Sequence, residues 1–248
     1  MSLKLLSYNI WFGGKGRELA LANAIKAVDA DLIVFQEATK PAVIEQLAQA
    51  TGMPFWAARK DHSIGYISRK EIEYHEWHYP AGAKHSFLEI VPTGIEARIF
   101  GLHLSARFSK WDEQRRTREI RSLLQGIQRH QHGFHVLVGD FNTLAPGELL
   151  DVRRMPAWIR ALIWISGRKL QRDTIQIMLD AGYADGFRTL HPEEKGYTFP
   201  TWDPHLRLDY AFVPAAFAPR LTGCEVVIEP AAIVRSASDH LPLLVQID

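Results

Sequence analysis

The sequence predicts an α+β protein built from two packed β-sheets with helices outside, and three observations lead there. Short apolar runs bounded by turns recur along the chain. Helical patterns fall between some of them. The middle of the chain joins strand-length runs with no helix between them. This last feature argues against a purely alternating parallel sheet and for two packed sheets with helices outside.

The runs "LKLLSYNI", "DLIVFQE", "IGYIS", "FLEIV", "ARIFGLHL", "FHVLVGDFN", "LRLDYAFV" and "LPLLVQI" are each of strand length. Several are continuously apolar rather than alternating, as strands covered on both faces are. Helices are predicted over 17–28, where apolar residues recur near helical spacing, and over 41–50, which opens on Pro41 and stops before Gly52. A third, over 111–128, gathers Ile120, Leu123, Leu124 and Ile127 on one side. Arg115, Arg116, Arg118 and Arg121 occupy its other side, which reads as a solvated face. No linker, repeat or shift in composition divides the chain, so residues 1–248 are expected to form a single domain with a helical insertion near 151–180.

The chain has 248 residues, 47% of them hydrophobic and 23% charged, an ordinary balance for a folded domain. Lys and Arg total 29 against 28 Asp and Glu, so there is no strong electrostatic signature of a nucleic-acid binder. The single cysteine, Cys224, excludes an intrachain disulfide and reads as a small core residue. With no basic-then-apolar leader and no run near the ~20 apolar residues of a membrane span, the expected location is cytoplasmic and the expected state monomeric.

Four motifs place a polar residue directly where an apolar run ends: Asn9 in "LSYNIW", Gln36 and Glu37 in "DLIVFQE", Asp140 and Asn142 in "HVLVGDFNTL", and Asp239 and His240 in "SASDHLPLL". Ligands collect where strands finish. Asp140 and Asn142 are two apart and share a face of an extended chain. Asp239 and Glu37 are the oxygen donors a hard divalent cation takes. "IFGLHLS" adds His103 at a strand end. "LRLDYAFV" places Asp209 in an apolar strand, where a carboxylate needs a partner; His240 is the natural one. Each motif has a plainer reading, as a solvated charge, an Asx turn or a capping residue. The other nine histidines, from His62 to His205, follow no ligand spacing and read as surface or structural residues. There is no CxxC pair, HExxH, GxxxxGK or GxSxG, which removes the main support for zinc proteases, P-loop enzymes and serine hydrolases.

In their order along the chain, "SYNIW", "FQE", "HL", "GDFN", "RLDYAFV" and "SDHLPL" closely resemble the endonuclease/exonuclease/phosphatase, or DNase I-like, superfamily. The resemblance implies a four-layer α/β/β/α sandwich of two packed mixed sheets with the site at one edge between them. It implies hydrolysis of a phosphate ester, a phosphodiester of nucleic-acid, inositol-phosphate or phospholipid type, with Mg²⁺ or Mn²⁺. By that likeness Glu37 holds the metal with Asn9 and Asp239 near it. Asp140 orients or deprotonates the attacking water, and Asn142 positions the water or the phosphate. His240, held by Asp209, stabilises charge on the phosphoryl oxygens, with His103 as a second donor. "IGYISRK" carries Tyr66 where DNA-repair relatives have a small residue, which argues against an AP endonuclease. A non-catalytic binding module that retains the fold is the alternative, although every matching position holds a competent residue type.

The segment "RRMPAWIRALIWISGRKLQR" stands apart. Trp158, Ala161, Leu162 and Ile165 fall at helical spacing as an apolar stripe, widened by Ile159, Ile163 and Trp164. Arg153, Arg154, Arg168, Lys169 and Arg172 flank it. An apolar centre with basic edges is the composition of an interfacial helix, so 156–165 is a candidate contact for a membrane surface or lipid. It equally suits a lid over the substrate, a partner-binding patch, or packing on its own domain.

Overall fold

A computed structural model describes residues 2–148, 150–165 and 172–248. Strand β1 (Leu3–Asn9) leads into helix α1 (Glu18–Val28), β2 (Leu32–Gln36) and α2 (Pro41–Thr51). A strand-rich stretch follows: β3 (Phe55–Ala57), β4 (Gly65–Ser68), β5 (Ile72–His78), β6 (Phe87–Pro92) and β7 (Arg98–His103). Helix α3 (Lys110–Gly126) precedes β8 (His135–Asp140), and α4 (Ala157–Ile165) and α5 (Asp173–Asp180) precede β9 (Tyr183–Asp185). The chain ends with α6 (Gly186–Leu190), β10 (Asp209–Pro214), β11 (Leu221–Val226), α7 (Ala231–Ala237) and β12 (Leu243–Ile247). Among the described residues no helix is long and apolar enough to cross a membrane.

The strands form two six-stranded sheets, ordered β11-β12-β1-β2-β4-β3 and β5-β6-β7-β8-β10-β9. Both are mixed, since β1–β2 and β7–β8 pair parallel while β1–β12 and β8–β10 pair antiparallel. Leu3, Leu5 and Val34 of one sheet pack against Ile99, Val136 and Val138 of the other to make the central core. On the outside, α1 and α2 cover Leu6, Tyr8 and Phe35, while α3 and α5 cover Phe100, Leu137 and Phe212. These are the four layers of an α/β/β/α sandwich. Each fully buried Leu, Ile or Phe contributes about 1.5–3 kcal/mol before the opposing chain entropy. Cys224 lies in the central core, where burial pushes its thiol well above the usual range.

Strand β5 escaped the sequence reading because it lies at a sheet edge and is largely exposed, so its pattern is polar rather than apolar. One expectation is overturned. Arg116 is not on a solvated face but is 1% exposed. It donates to Glu113 at 2.8 and 3.0 Å and to the carbonyls of Ser105 and Arg107. Glu113, three residues earlier, is its buried counter-charge and also accepts from Thr143 Oγ1 and Thr174 N. This network ties α3 to α5 and to the segment after β8, and a buried cation persists only with such pairing.

Gly139 sets how closely β7 and β8 approach. A Cβ there would stand 1.9 Å from the Leu102 carbonyl oxygen, at a φ of 152°. Gly139→Ala is expected to cost at least about 3 kcal/mol, in the tail of single-substitution effects. Thermal unfolding measures it, and an unchanged melting temperature would contradict the assigned tightness.

Candidate active site

Strand periodicity explains why distant residues meet. Odd-numbered residues of β1, Leu3 and Leu5, face the central core, and Leu6 and Tyr8 face the helices. Asn9, at the end of the strand, therefore belongs to the inner face. The same alternation sends His103 inward after Ile99, Asp140 after Val136 and Val138, and Asp209 before Ala211 and Val213. Register aligns them, with His103 opposite Asp140, Asp140 opposite Asp209, and Asn9 opposite Gln36. Glu37 follows Gln36 directly. His240 arrives from the turn ahead of β12, which pairs with β1.

Asp140 is the centre of the cluster. Its Oδ1 accepts from the Asn142 backbone N–H at 2.8 Å, and its Oδ2 accepts from Asn9 Nδ2 at 3.0 Å and Asn142 Nδ2 at 3.1 Å. His103 Nε2 and His240 Nε2 lie 3.7 and 3.8 Å from that same Oδ2. Burial pushes the Asp140 carboxyl up to about 7, with His240 opposing and Asp209 adding to the rise. His240 Nδ1 donates to Asp209 Oδ2 at 2.8 Å. Burial works against charge on His240, but Asp209 and Asp140 outweigh it and hold the imidazolium up to about 10. His103 goes the other way: burial first, then neighbouring His85, His240 and Lys84, keep it well below its usual value and neutral. The site thus pairs a cationic imidazole with a neutral one around one carboxylate of shifted proton affinity, as acid–base chemistry needs.

Two further residues shape the site. Ser63 Oγ accepts from the Glu37 backbone N–H at 3.2 Å and lies 2.5 Å from His103 Nδ1. With that N–H already donated to it, the hydroxyl can donate its own proton to Nδ1, an arrangement that pairs with the His103 tautomer carrying its proton on Nε2, facing Asp140. His85 stacks on His103 at 5.2 Å with an interplanar angle of 1°. An isolated Ser and an isolated His carry no ligand spacing, and only the sheet packing brings them here.

Backbone strain gathers at the same place. Trp11, Phe12, Glu37 and Asn142 all have left-handed backbones, with φ of 47°, 49°, 60° and 53°. Such conformations cost of the order of 1–3 kcal/mol each in non-glycine residues and persist where surrounding structure enforces them.

The sequence profile of the endonuclease/exonuclease/phosphatase family matches residues 6–240. The chain belongs to that family. Among solved structures it is similar to a 3′ phosphatase from Neisseria bound to a product DNA hairpin, at 21% identity, 99% coverage of both chains and a TM-score of 0.72. It is also similar to an AP endonuclease from Archaeoglobus fulgidus, at 18% identity, 99% coverage of both and a TM-score of 0.72. A humanized TDP2 of D. rerio gives 19% identity over 100% of this chain and 99% of its own, with a TM-score of 0.68. At these identities the likeness shows the fold. No curated protein matches the chain.

Members of the endonuclease/exonuclease/phosphatase family are phosphoesterases that use a divalent metal, and two carboxylate groupings here invite one. The tighter is Asp140, Asp209 and His240, whose ligand atoms lie within 4.8 Å of one another. It already contains a cation, the His240 imidazolium, 2.8 Å from Asp209 and 3.8 Å from Asp140. Glu37 and Asp239 differ. Burial raises the Asp239 carboxyl, His240 opposes this and Glu37 raises it further, and neither forms a salt bridge among the described residues. Two hard oxygen donors that repel each other fit a divalent cation better than a site with an imidazolium at its centre. Asn9 links the two groupings, donating to Asp140 and, at 3.5 Å, to Glu37 Oε1, while its own oxygen accepts from Trp11 N–H.

The apolar stripe expected on α4 is divided by the fold. Ile159 and Ile163 pack against Phe108, Leu144, Met155, Leu206 and Leu208, while Trp158, Ala161, Trp164 and Ile165 are exposed. The small cluster beneath selects the 159/163 pair, one turn apart, instead of the 158/161/162/165 row. Of the flanking cations, Arg153 pairs with Asp151 and Arg154 with Asp203; Arg168 and Lys169 lie outside the described residues. The cluster under α4 extends to Phe199, whose ring is 4.8 Å from that of His240.

Proposed function

We propose that this chain hydrolyses a phosphodiester with Mg²⁺ or Mn²⁺ held by Glu37 and Asp239 beside Asn9. The observation that carries the reading is the convergence of His103 Nε2 and His240 Nε2 on Asp140 Oδ2 at 3.7 and 3.8 Å, with His240 Nδ1 held by Asp209 at 2.8 Å. The cation, when bound, offsets the charge of the phosphate and stabilises the leaving oxygen. Asp140 takes the proton of the attacking water, its lone pairs aimed by three amide donors from Asn9 and Asn142. His240 directs its Nε2–H to the phosphoryl oxygens, where the negative charge of the transition state grows. Asp209 holds that ring in place, and neutral His103 supplies a second Nε2–H.

Hydrolysis of bis(p-nitrophenyl) phosphate by the purified protein tests this directly. Turnover with Mg²⁺ or Mn²⁺ supports it. Binding of phosphodiesters without turnover in either metal would favour a non-catalytic module. In the same assay Asp209→Ala is expected to lower turnover, but less than His240→Ala, because the imidazole remains and only its orientation and charge are disturbed. A fully active Asp209→Ala would show that the pairing has no functional part. Running DNA, inositol phosphates and phospholipid vesicles alongside, with a Trp158→Ala, Trp164→Ala double variant, separates substrate classes and tests lipid contact through 156–165.

A further inference from the structure

Two exposed aromatic arms are anchored beside the carboxylates proposed to hold the metal, one to the Glu37 side chain and the other to the Asp239 backbone. The first is Trp11-Phe12. Its backbone is pinned from several sides: Trp11 N–H donates to Asn9 Oδ1 at 3.0 Å and Phe12 N–H donates to Glu37 Oε2 at 2.5 Å. Arg17 donates to the carbonyls of Ile10, Trp11 and Ala237, and its guanidinium lies 5.0 Å above the Trp11 ring. The next two residues are seated as tightly. A Cβ on Gly13 would meet Thr39 and Lys40 at 3.0 Å, and one on Gly14 would meet Leu21 at 2.8 Å. Yet the rings turn outward, with Phe12 73% and Trp11 37% exposed. Buried contacts thus hold a left-handed backbone whose side chains are displayed to solvent. Trp11 is covered on one face by Arg17 and leans on Phe12, whose own ring is left largely uncovered.

The second arm is Trp202, 66% exposed. The preceding residue, Thr201, donates its backbone N–H to the Asp239 carbonyl at 2.9 Å and its hydroxyl to the Ser238 carbonyl at 2.9 Å. Asp203, on the other side, is held by Arg154. The Trp202 ring leans on Phe199 at 6.4 Å, and Phe199 touches His240. One arm is therefore fixed to Glu37 and the other to Asp239.

We infer that Trp11-Phe12 and Trp202 form a stacking subsite for nucleobases, so that the phosphodiester accepted is that of single-stranded nucleic acid. This rests on the phosphoesterase reading above, because a phosphate bound to a cation held by Glu37 and Asp239 would place its ester substituents beside the two arms. Rigid aromatic surfaces suit planar rings, and base stacking is tolerant of sequence.

The test is binding, measured apart from turnover. A single-stranded oligothymidylate is titrated against the protein in parallel with an oligomer of equal length in which every nucleoside is replaced by its abasic tetrahydrofuran analogue. The phosphates are the same and only the bases differ. Wild-type protein is expected to prefer the base-bearing oligomer by about ten- to a hundred-fold, the range for one or two stacked bases. The preference should shrink towards unity in Phe12→Ala and in Trp202→Ala and return in Phe12→Tyr. Unchanged thermal unfolding of Trp202→Ala excludes misfolding as the cause. Equal binding of both oligomers, a preference for the abasic one, or binding of phosphatidylcholine–phosphatidylserine vesicles in place of the oligothymidylate would overturn the inference. Because no catalysis is read, these outcomes are separate from a failure to hydrolyse bis(p-nitrophenyl) phosphate, which counts against the phosphoesterase reading alone.

Discussion

Asp140→Asn is expected to slow turnover by roughly 10²–10⁴, the contribution of a positioned acid–base group. The substitution keeps the shape of the side chain but removes the proton-accepting oxygen. It also sets an amide N–H₂ among groups that already donate: the Asn142 backbone, Asn142 Nδ2 and Asn9 Nδ2. The native carboxylate is buried and pushed up to about 7, so the neutral asparagine relieves desolvation, and the fold should survive. Single-turnover kinetics with a phosphodiester, beside a thermal melt, reads both effects. A variant that keeps more than about a tenth of the activity would remove Asp140 from the role of base. His240→Ala makes a useful contrast. It leaves Asp209, whose Oδ1 already has no hydrogen-bond partner among the described residues, without its Oδ2 contact as well. Loss of activity should there come with loss of stability, because removing one member of a buried pair strands the other.

Removal of divalent metal by chelation and dialysis is expected to abolish turnover, and Mg²⁺ or Mn²⁺ to restore it. The physical motive is the pair Glu37 and Asp239: burial and then Glu37 raise the Asp239 carboxyl against the pull of His240, and neither carboxylate forms a salt bridge among the described residues. Binding should also be visible without any reaction. A cation that binds only the folded chain stabilises it by RT ln(1 + [L]/Kd), about 2.7 kcal/mol at a hundred times Kd. The melting temperature should therefore rise with Mg²⁺ or Mn²⁺ in the native protein and much less in Glu37→Gln. Full turnover in excess chelator would defeat the proposal. A metal-induced rise that persists in Glu37→Gln would move the ion elsewhere, the Asp140, Asp209 and His240 group being the next candidate.

Much of the molecule follows from local rules. Continuously apolar runs with polar residues at their ends determined the central strands and put Asn9, Glu37, His103 and Asp140 where those runs finish, with Asp209 inside one, because alternation along a strand is a property of each strand alone. Pro41 and the apolar spacing over 17–28 determined α1 and α2 for the same reason. Tertiary structure decided what depends on neighbours distant in sequence. Arg116 reads as surface in a run of arginines and became buried because Glu113 and the carbonyls of Ser105 and Arg107 receive it, with Glu113 itself fixed by Thr143 and Thr174. Strand β5 exists because β6 offers it a paired edge, and its own polar residues did not announce it. Ser63 and His85 joined the site through packing against His103. On α4 the cluster beneath the helix, and not the helical repeat, chose which apolar residues are covered. Periodicity states which residues share a face; what that face meets, and so which charges are neutralised and which await a partner, is settled only when the two sheets close on each other.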